Sequence, residues 1–186
     1  EIRFSRIRWE STMLINMTDV FTEEEKSVTK EVPLELTSIC FQGEDFRILE
    51  KSPVTLTLTN TGQGRASIEA EATVKVELKC DRCLREVTKE FTLQFSTQAV
   101  SPDVADEQEQ DEERGFLEGY QLNVDSLISN EIITCWPMKI LCKEDCKGLC
   151  SVCGKDLNEG KCDCDTFVPD PRMAAIMDIF RENKEV

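Results

Sequence analysis

The run Val54-Thr-Leu-Thr-Leu-Thr, followed by Asn60-Thr-Gly-Gln-Gly, is the stretch of this sequence that says most about the fold. Apolar and polar residues alternate with a period of two up to Thr59, which is typical of a strand with one buried face. The glycine-containing segment predicts a turn, and the alternation resumes from Ala66 to Leu78. Residues 54–78 therefore predict a β-hairpin.

Shorter segments around this hairpin extend the β structure. The run that starts at Met13 and continues to Val20 is one strand candidate, and Val32–Ile39 is another. Val87–Phe95 is expected to be a returning strand after the hairpin. Cys80 and Cys83 lie between that strand and the one before it, so we expect this pair at the tip of a β-hairpin.

Two segments carry helical patterns. Asn123 or Asp125 can cap a helix that ends at Cys135-Trp-Pro, because proline cannot continue the hydrogen-bond ladder. Asp170-Pro171 predicts the start of a helix to about Asn183, with one apolar face for core packing. The sequence thus predicts an α+β protein, rich in antiparallel β structure, with a C-terminal cysteine-rich zinc-knuckle segment.

The same patterns divide the chain into three parts. Residues 1–12 are an extension of unknown role. Residues 13–136 are expected to form the β-rich domain, with an acidic, poorly apolar loop at 101–114. Residues 137–186 contain the cysteine-rich, zinc-binding segment and the C-terminal helix.

Composition excludes several kinds of active site. The 186 residues include no histidine, which removes Ser-His-Asp and Cys-His catalysis and mixed Cys/His metal sites. The net charge is −15, and residues 103–113 hold seven acidic residues and no basic one. Around the cysteines, basic residues slightly outnumber acidic ones, so both a local basic face and an ordinary solvated surface remain open.

The apolar runs are short. None approaches the roughly 18 consecutive apolar residues of a membrane span, and the first residues lack the apolar centre of a secretory signal. We therefore expect a cytoplasmic protein with no membrane partner.

Eight cysteines have the spacing of metal ligands. Two pairs are Cys-x-x-Cys, one is Cys-x-Cys and one has four-residue spacing; the residues are Cys80, Cys83, Cys142, Cys146, Cys150, Cys153, Cys162 and Cys164. Zn²⁺ prefers four thiolates in a tetrahedron, so the count suits one or two ions. Disulfides and a thioredoxin-like redox pair are alternatives, but neither a secretion signal nor a strand-to-helix context supports them.

Spacing alone leaves open which cysteines share an ion. The favoured grouping places Cys150, Cys153, Cys162 and Cys164 around one ion, and Cys142 and Cys146 with the distant Cys80 and Cys83 around another. The other possibility puts Cys142, Cys146, Cys150 and Cys153 together. An iron–sulfur cluster is also compatible with four such thiols. Cys40 and Cys135 have no neighbour at short spacing and are expected in the core.

Three motifs resemble the YceD family, named for large ribosomal RNA subunit accumulation. They are Cys-Asp-Arg-Cys-Leu-Arg at 80–85, Gly-Tyr-Gln-Leu-Asn-Val at 119–124, and the segment 141–158 from Leu-Cys-Lys-Glu-Asp-Cys to Lys-Asp-Leu-Asn. The similarity runs from about Met13 to the C-terminus, including Cys-Asp-Cys and Asp170-Pro-Arg-Met, and is of the bacterial, Gram-positive type. It implies that Met13 is the usual start and that the eight cysteines are family positions.

The resemblance implies a non-enzymatic role in synthesis or processing of large-subunit ribosomal RNA and in ribosome assembly. We expect a zinc-ordered surface that binds ribosomal RNA precursor or a large-subunit ribosomal protein. The candidate contacts are Arg82, Arg85, Lys143, Lys147 and Lys155. The alternatives are a thiol-disulfide oxidoreductase, a nuclease, and a structural zinc protein that binds only protein partners.

Overall fold

The computed structural model describes residues 13–104 and 115–164. The extension 1–12, most of the predicted acidic loop and the predicted helix from Asp170 lie outside these ranges. Contacts divide the chain into two units. Within the described ranges, the first contains the residues up to Leu78 together with Glu86–Ile140, and the second contains Lys79–Arg85 together with residues from Leu141 onward.

Nine strands and two helices follow one another along the described chain. In order they are β1 (Leu14–Asn16), α1 (Thr18–Thr22), β2 (Ser27–Val32), β3 (Ser38–Phe41), β4 (Glu44–Lys51), β5 (Val54–Gly62), β6 (Arg65–Lys79), β7 (Glu86–Val100), β8 (Leu117–Glu118), β9 (Gln121–Asn123) and α2 (Val124–Thr134). Strand pairing is mostly antiparallel, which confirms the predicted α+β class.

The strands form two sheets. The larger has six strands in the order β2-β5-β6-β4-β3, with β7 also paired to β6, and the smaller has the order β1-β9-β8. The hairpin predicted from residues 54–78 is confirmed as β5 and β6, whose register runs from Thr55 opposite Glu71 to Gly62 opposite Arg65. The alternate apolar residues of both strands are buried, including Leu56, Leu58 and Ile68.

The predicted strand from Met13 to Val20 is too long, because α1 begins at Thr18. The side-chain oxygen of Asn16 accepts a hydrogen bond from the amide of Thr18 (2.8 Å), which turns the chain out of β1. Met17, Val20 and Phe21 remain buried, so the apolar pattern was correct about burial and wrong about the type of element.

The predicted strand Val32–Ile39 is also wrong, since residues 33–37 belong to no strand. Pro33 has no amide to donate to a ladder. The amides of Glu35 and Leu36 instead donate to one carboxylate oxygen of Asp125, at 3.0 and 3.2 Å. Asp125 lies in the first turn of α2 and is 2% exposed. Its buried carboxylate accepts the hydrogen bonds that the backbone of a neighbouring strand would accept.

Helix α2 begins as the sequence predicts. The side chain of Asn123 accepts from the amide of Ser126 (3.0 Å) and so caps the helix, which ends at Thr134 just before Cys135-Trp-Pro. The ring of Trp136 then lies 4.8–5.8 Å from the rings of Phe41, Phe46 and Phe91. Phe91 belongs to the apolar core of the first unit, and Phe46 and Trp136 pack against it.

Neither helix in the described ranges has the length and apolar character to cross a bilayer.

Candidate metal centres

The second unit brings the eight predicted cysteines together in two groups of four. The first cluster is Cys80, Cys83, Cys142 and Cys146; the second cluster is Cys150, Cys153, Cys162 and Cys164. Within each cluster all four sulfur atoms lie within 4.8 Å of one another. The other grouping considered, Cys142 and Cys146 with Cys150 and Cys153, is not the arrangement in the structure.

The sulfur separations match a tetrahedral site. Four sulfurs about 2.3 Å from a central ion are about 3.8 Å from one another. In the first cluster, the Sγ atoms of Cys80 and Cys146 are 3.8 Å apart, and those of Cys83 and Cys142 are 3.6 Å apart. All ten cysteines are free, so these contacts are between thiols and not disulfides.

One knuckle in each cluster has the same backbone geometry. The amide of Cys80 donates to the carbonyl of Arg85, and the amide of Leu84 donates back to the carbonyl of Cys80, both at 2.9 Å. The same two bonds, at the same lengths, join Cys150 with Lys155 and Gly154 with Cys150. The segments 80–85 and 150–155 are therefore two copies of one Cys-x-x-Cys turn.

The residue after the second cysteine of each turn needs a left-handed backbone. Gly154 has a φ of 73°, and Leu84 has a φ of 58°. Glycine adopts this conformation without a Cβ clash, whereas leucine does so at a cost of about 1–2 kcal/mol. Leu84 is nevertheless 63% exposed, so packing of its side chain does not offset that cost.

A second contact holds the two chain segments of the first cluster together. The amide of Leu149 donates to the carbonyl of Arg82 (3.1 Å), beside Gly148. A Cβ at Gly148 would lie 2.9 Å from that same carbonyl oxygen, so only glycine lets the segments approach this closely. The Asn158 amide group donates to the sulfur of Cys146 (3.4 Å) and thereby supports a ligand from outside the cluster.

The backbone favours the thiolate form of the first cysteine in each knuckle. Burial raises the pKa of Cys80, but hydrogen bonds from the amides of Cys83 and Arg82 outweigh it and lower the pKa to about 6. Amides of Cys153 and Val152 likewise lower the pKa of Cys150 to about 6, and the Val152 amide lies 3.4 Å from that sulfur.

Another cysteine in each cluster has a raised pKa, through burial and through contacts with neighbouring cysteines. Burial, and then the contact with Cys146, raises the pKa of Cys142 to about 12. The contact with Cys153, and then burial, raises the pKa of Cys164 to about 12. Four thiolates at these distances repel one another, and a divalent cation at their centre removes that repulsion. The donor set therefore fits a metal ion.

The two clusters differ in exposure. In the first, Cys80, Cys83 and Cys146 are buried and Cys142 is half-buried. In the second, only Cys150 is buried, and Cys153 is exposed. An ion in the second cluster would be more accessible to solvent and to competing ligands.

The predicted partner-binding residues have different surroundings. Arg85 forms ion pairs with Asp156 (2.8 Å) and Glu159 (3.0 Å), and these pairs connect the first knuckle to the segment that follows the second. Lys143 lies 3.9 Å from a carboxylate oxygen of Asp145. The ammonium group of Lys155 donates to the carbonyl of Lys161 at 2.9 Å.

Arg82 and Lys147 alone among the five predicted residues line one cavity of the second unit, and Lys161 lines it with them. Lys161 is not among the residues predicted from the sequence to contact a partner. Its position next to Cys162 could have suggested it, since the other candidate residues also neighbour cysteines.

The two remaining cysteines lie in the first unit, outside both clusters. Cys40 is half-buried in β3. Cys135 is exposed, and its thiol donates to a carboxylate oxygen of Glu131 (3.4 Å). The expectation of a core position for Cys135 is therefore wrong, because α2 ends just before it and turns it towards solvent.

Comparisons with known proteins gave one family match. No curated protein and no solved structure matched the chain. The family model described as large ribosomal RNA subunit accumulation protein YceD matches residues 68–180, a segment that contains all eight clustered cysteines. This match covers more than half of the chain, and the protein belongs to the YceD family.

Proposed function

We propose that this protein is a non-enzymatic cytoplasmic factor in the synthesis or processing of large-subunit ribosomal RNA and in ribosome assembly. The family description implies a role in accumulation of that RNA. In this proposal the second unit is a metal-ordered surface that contacts ribosomal RNA precursor.

The proposed metal is zinc, with one ion in each cluster. The observation that carries the proposal is the sulfur spacing of 3.6–3.8 Å in the first cluster, which suits a single tetrahedral ion. An iron–sulfur cluster spreads its cysteines around several metal atoms and needs a wider cage. Thiolate ligands without histidine or carboxylate are typical of structural zinc sites, which are closed to substrate.

The arrangement favours a binding role over thiol-disulfide exchange. A redox Cys-x-x-Cys pair needs one accessible, low-pKa thiol at a helix N-terminus. Here the low-pKa thiols Cys80 and Cys150 are buried, and each belongs to a group of four. No helix occurs in the described part of the second unit.

Metal content and particle association test the proposal together. We expect anaerobically purified protein to contain two zinc ions per chain and to co-sediment with precursors of the large ribosomal subunit. Replacing Cys142 and Cys146 with serine should remove one ion and weaken co-sedimentation at least tenfold, because the first cluster then lacks two ligands. Cys40→Ser is the matched control, since Cys40 lies outside both clusters.

Crosslinking then identifies the partner class. Crosslinks from the second unit to precursor RNA would support the proposal, whereas crosslinks only to a ribosomal protein would replace RNA with that protein. Absence of the wild-type chain from large-subunit particles, or catalytic turnover of a disulfide substrate, would contradict it.

A further inference from the structure

The second unit contains a cavity of about 600 Å³ beside the first cluster. Its lining residues are Arg82, Asp145, Cys146, Lys147, Leu157 and Lys161. Three of these are cationic in a chain whose net charge is −15. The acidic residue, Asp145, lies 3.9 Å from Lys143, whose charge offsets it. The cavity is therefore a local cationic site on an acidic protein.

Hydrogen bonds fix the backbone of all three cationic residues and the guanidinium of Arg82. The guanidinium of Arg82 donates to the carbonyl of Cys146, and the carbonyl of Arg82 accepts from Leu149. The amide of Lys147 donates to Asn158 at 2.9 Å, and the carbonyl of Lys161 accepts from the ammonium of Lys155. Because the guanidinium of Arg82 is already positioned, it loses little conformational entropy when it binds a ligand.

In the described part of the second unit, the guanidinium of Arg82 makes no hydrogen bond to the nearby sulfur of Cys146. A zinc ion with four thiolates carries two formal negative charges, and nearby basic groups often compensate them. Here, however, Arg82 donates to the carbonyl of Cys146 and not to its sulfur. The side-chain donor to that sulfur is the neutral amide of Asn158. The charge of Arg82 thus remains available to a ligand in the cavity.

We propose that this cavity binds neighbouring phosphodiester groups of an RNA backbone, held by Arg82, Lys147 and Lys161. The inference rests on the proposed function, since it names the contact through which the second unit would hold precursor RNA. A guanidinium forms paired hydrogen bonds with two oxygens of one phosphate, and each of the two ammonium groups neutralises a neighbouring phosphate as a point charge. The contact is to the backbone, so it carries no base specificity of its own.

Salt dependence of RNA binding tests the cavity. Each neutralised phosphate of single-stranded RNA contributes about −0.7 to the slope of log affinity against log salt concentration. Replacing Lys147 and Lys161 with glutamine should reduce the steepness of the slope by about 1.4 for a single-stranded fragment of ribosomal RNA. If the three cations make the only phosphate contacts, wild-type affinity should fall about twentyfold between about 50 and 200 mM salt, and the variant's only about threefold.

Lys79→Gln is the matched control, because Lys79 is an exposed cation of the same unit that does not line the cavity. It removes one charge and should change the slope little. Zinc content of every variant should equal that of the wild type. A Lys147→Gln, Lys161→Gln variant with wild-type slope and affinity would overturn the inference, even if the wild type still co-sediments with ribosomal precursors.

Two further outcomes would assign the cavity to a ligand other than RNA. Binding of poly-glutamate that is tighter than that of RNA and has the same dependence on Lys147 and Lys161 would assign the cavity to acidic peptides. Binding of millimolar inorganic phosphate by a chain that does not bind RNA would assign it to the free anion. Either result overturns RNA as the ligand. A wild-type chain that neither binds RNA nor co-sediments contradicts the proposed function itself.

Discussion

Gly148 and Gly154 share a left-handed backbone, with φ of 76° and 73°, but their surroundings differ. Nothing lies within 4 Å of a Cβ at Gly154, whereas a Cβ at Gly148 would lie 2.9 Å from the carbonyl oxygen of Arg82. Gly154→Ala should therefore lower the free energy of unfolding by about 1 kcal/mol, which is the cost of a left-handed backbone at alanine. Gly148→Ala should cost a further 1–3 kcal/mol or so, because two backbones must separate. Denaturant unfolding of the zinc-loaded variants measures both.

The two glycine variants are controls for each other, since they carry the same substitution at nearly the same φ. Equal losses of unfolding free energy would mean that the segment at Gly148 moves away from Arg82 without cost. In that case the close approach of these segments would not help to hold the first cluster together.

Single residues differ in how much of their role their sequence neighbours reveal. The spacing of Cys80 and Cys83 marks them as candidate ligands, because a Cys-x-x-Cys turn is local. The role of Asp125 depends on residues 35 and 36, some 90 positions earlier, and no local pattern indicates it. The sequence also names Arg85 as a contact residue without showing its ion pairs to Asp156 and Glu159.

The described part of the second unit has an unusual core. Its buried apolar residues are all cysteines, namely Cys80, Cys83, Cys146 and Cys150, and none of them belongs to the hydrophobic cluster of the first unit. Apolar burial therefore contributes little to the stability of the described part of the second unit. A structural zinc site supplies about 10–16 kcal/mol of apparent binding free energy, which here would replace a hydrophobic core.

Removal of metal should therefore unfold the second unit and leave the first unit folded. After chelation of zinc under reducing conditions, we expect the amides of Leu84 and Gly154 to lose protection from hydrogen exchange, because their hydrogen bonds depend on the knuckles. Amides of β5 and β6 at Leu56 and Ile68 should keep their protection, since their core contains no metal ligand. Hydrogen exchange followed by mass spectrometry resolves both groups in one sample.

Readdition of zinc is the control, and it should restore the lost protection. Persistent protection of the knuckle amides without metal would show that the turns are stable by themselves. Loss of protection in β5 and β6 as well would show that the two units unfold together.

Strands were predicted correctly where apolar and polar residues alternate over a long continuous segment. The hairpin of β5 and β6 alternates over some 25 residues with a turn between, and its register follows. Residues 33–37 alternate just as well, and Leu34 and Leu36 are indeed buried, but the amides of Glu35 and Leu36 donate to Asp125 instead of to a strand. Alternation reports which side chains are buried; it does not report where the amides find acceptors.

At the scale of the whole molecule, the thiol clusters draw on distant parts of the chain. The first cluster joins residues some 60 positions apart, and the second lies within 15 residues. Spacing suggested both groups because each has two close pairs, but it left another grouping open, since spacing does not show which pairs meet in space. Only the three-dimensional placement of Cys142 and Cys146 beside Cys80 and Cys83 decides between them.

Charge along the whole chain is distributed unevenly, and this leads to a prediction about specificity. Residues 103–113 hold seven acidic residues, while the cavity near Arg82 is cationic. We expect the acidic run to repel RNA that makes no specific contacts, because its field acts within a Debye length of about 8 Å at physiological salt. Replacing Glu107, Glu109 and Asp111 with their amides should raise affinity for unrelated RNA about threefold to tenfold at 50 mM salt.

A variant with the same charge change elsewhere separates position from net charge. Glu24, Glu31 and Glu44 are exposed residues of the first unit, and replacing them with glutamine also moves the net charge from −15 to −12. This control should raise affinity for unrelated RNA less than the variant of the acidic run does, and the difference should shrink at 200 mM salt as screening increases. Equal gains for the two variants would mean that the run acts only through the total charge of the protein. A gain confined to the run would make residues 103–113 a local barrier to nonspecific RNA.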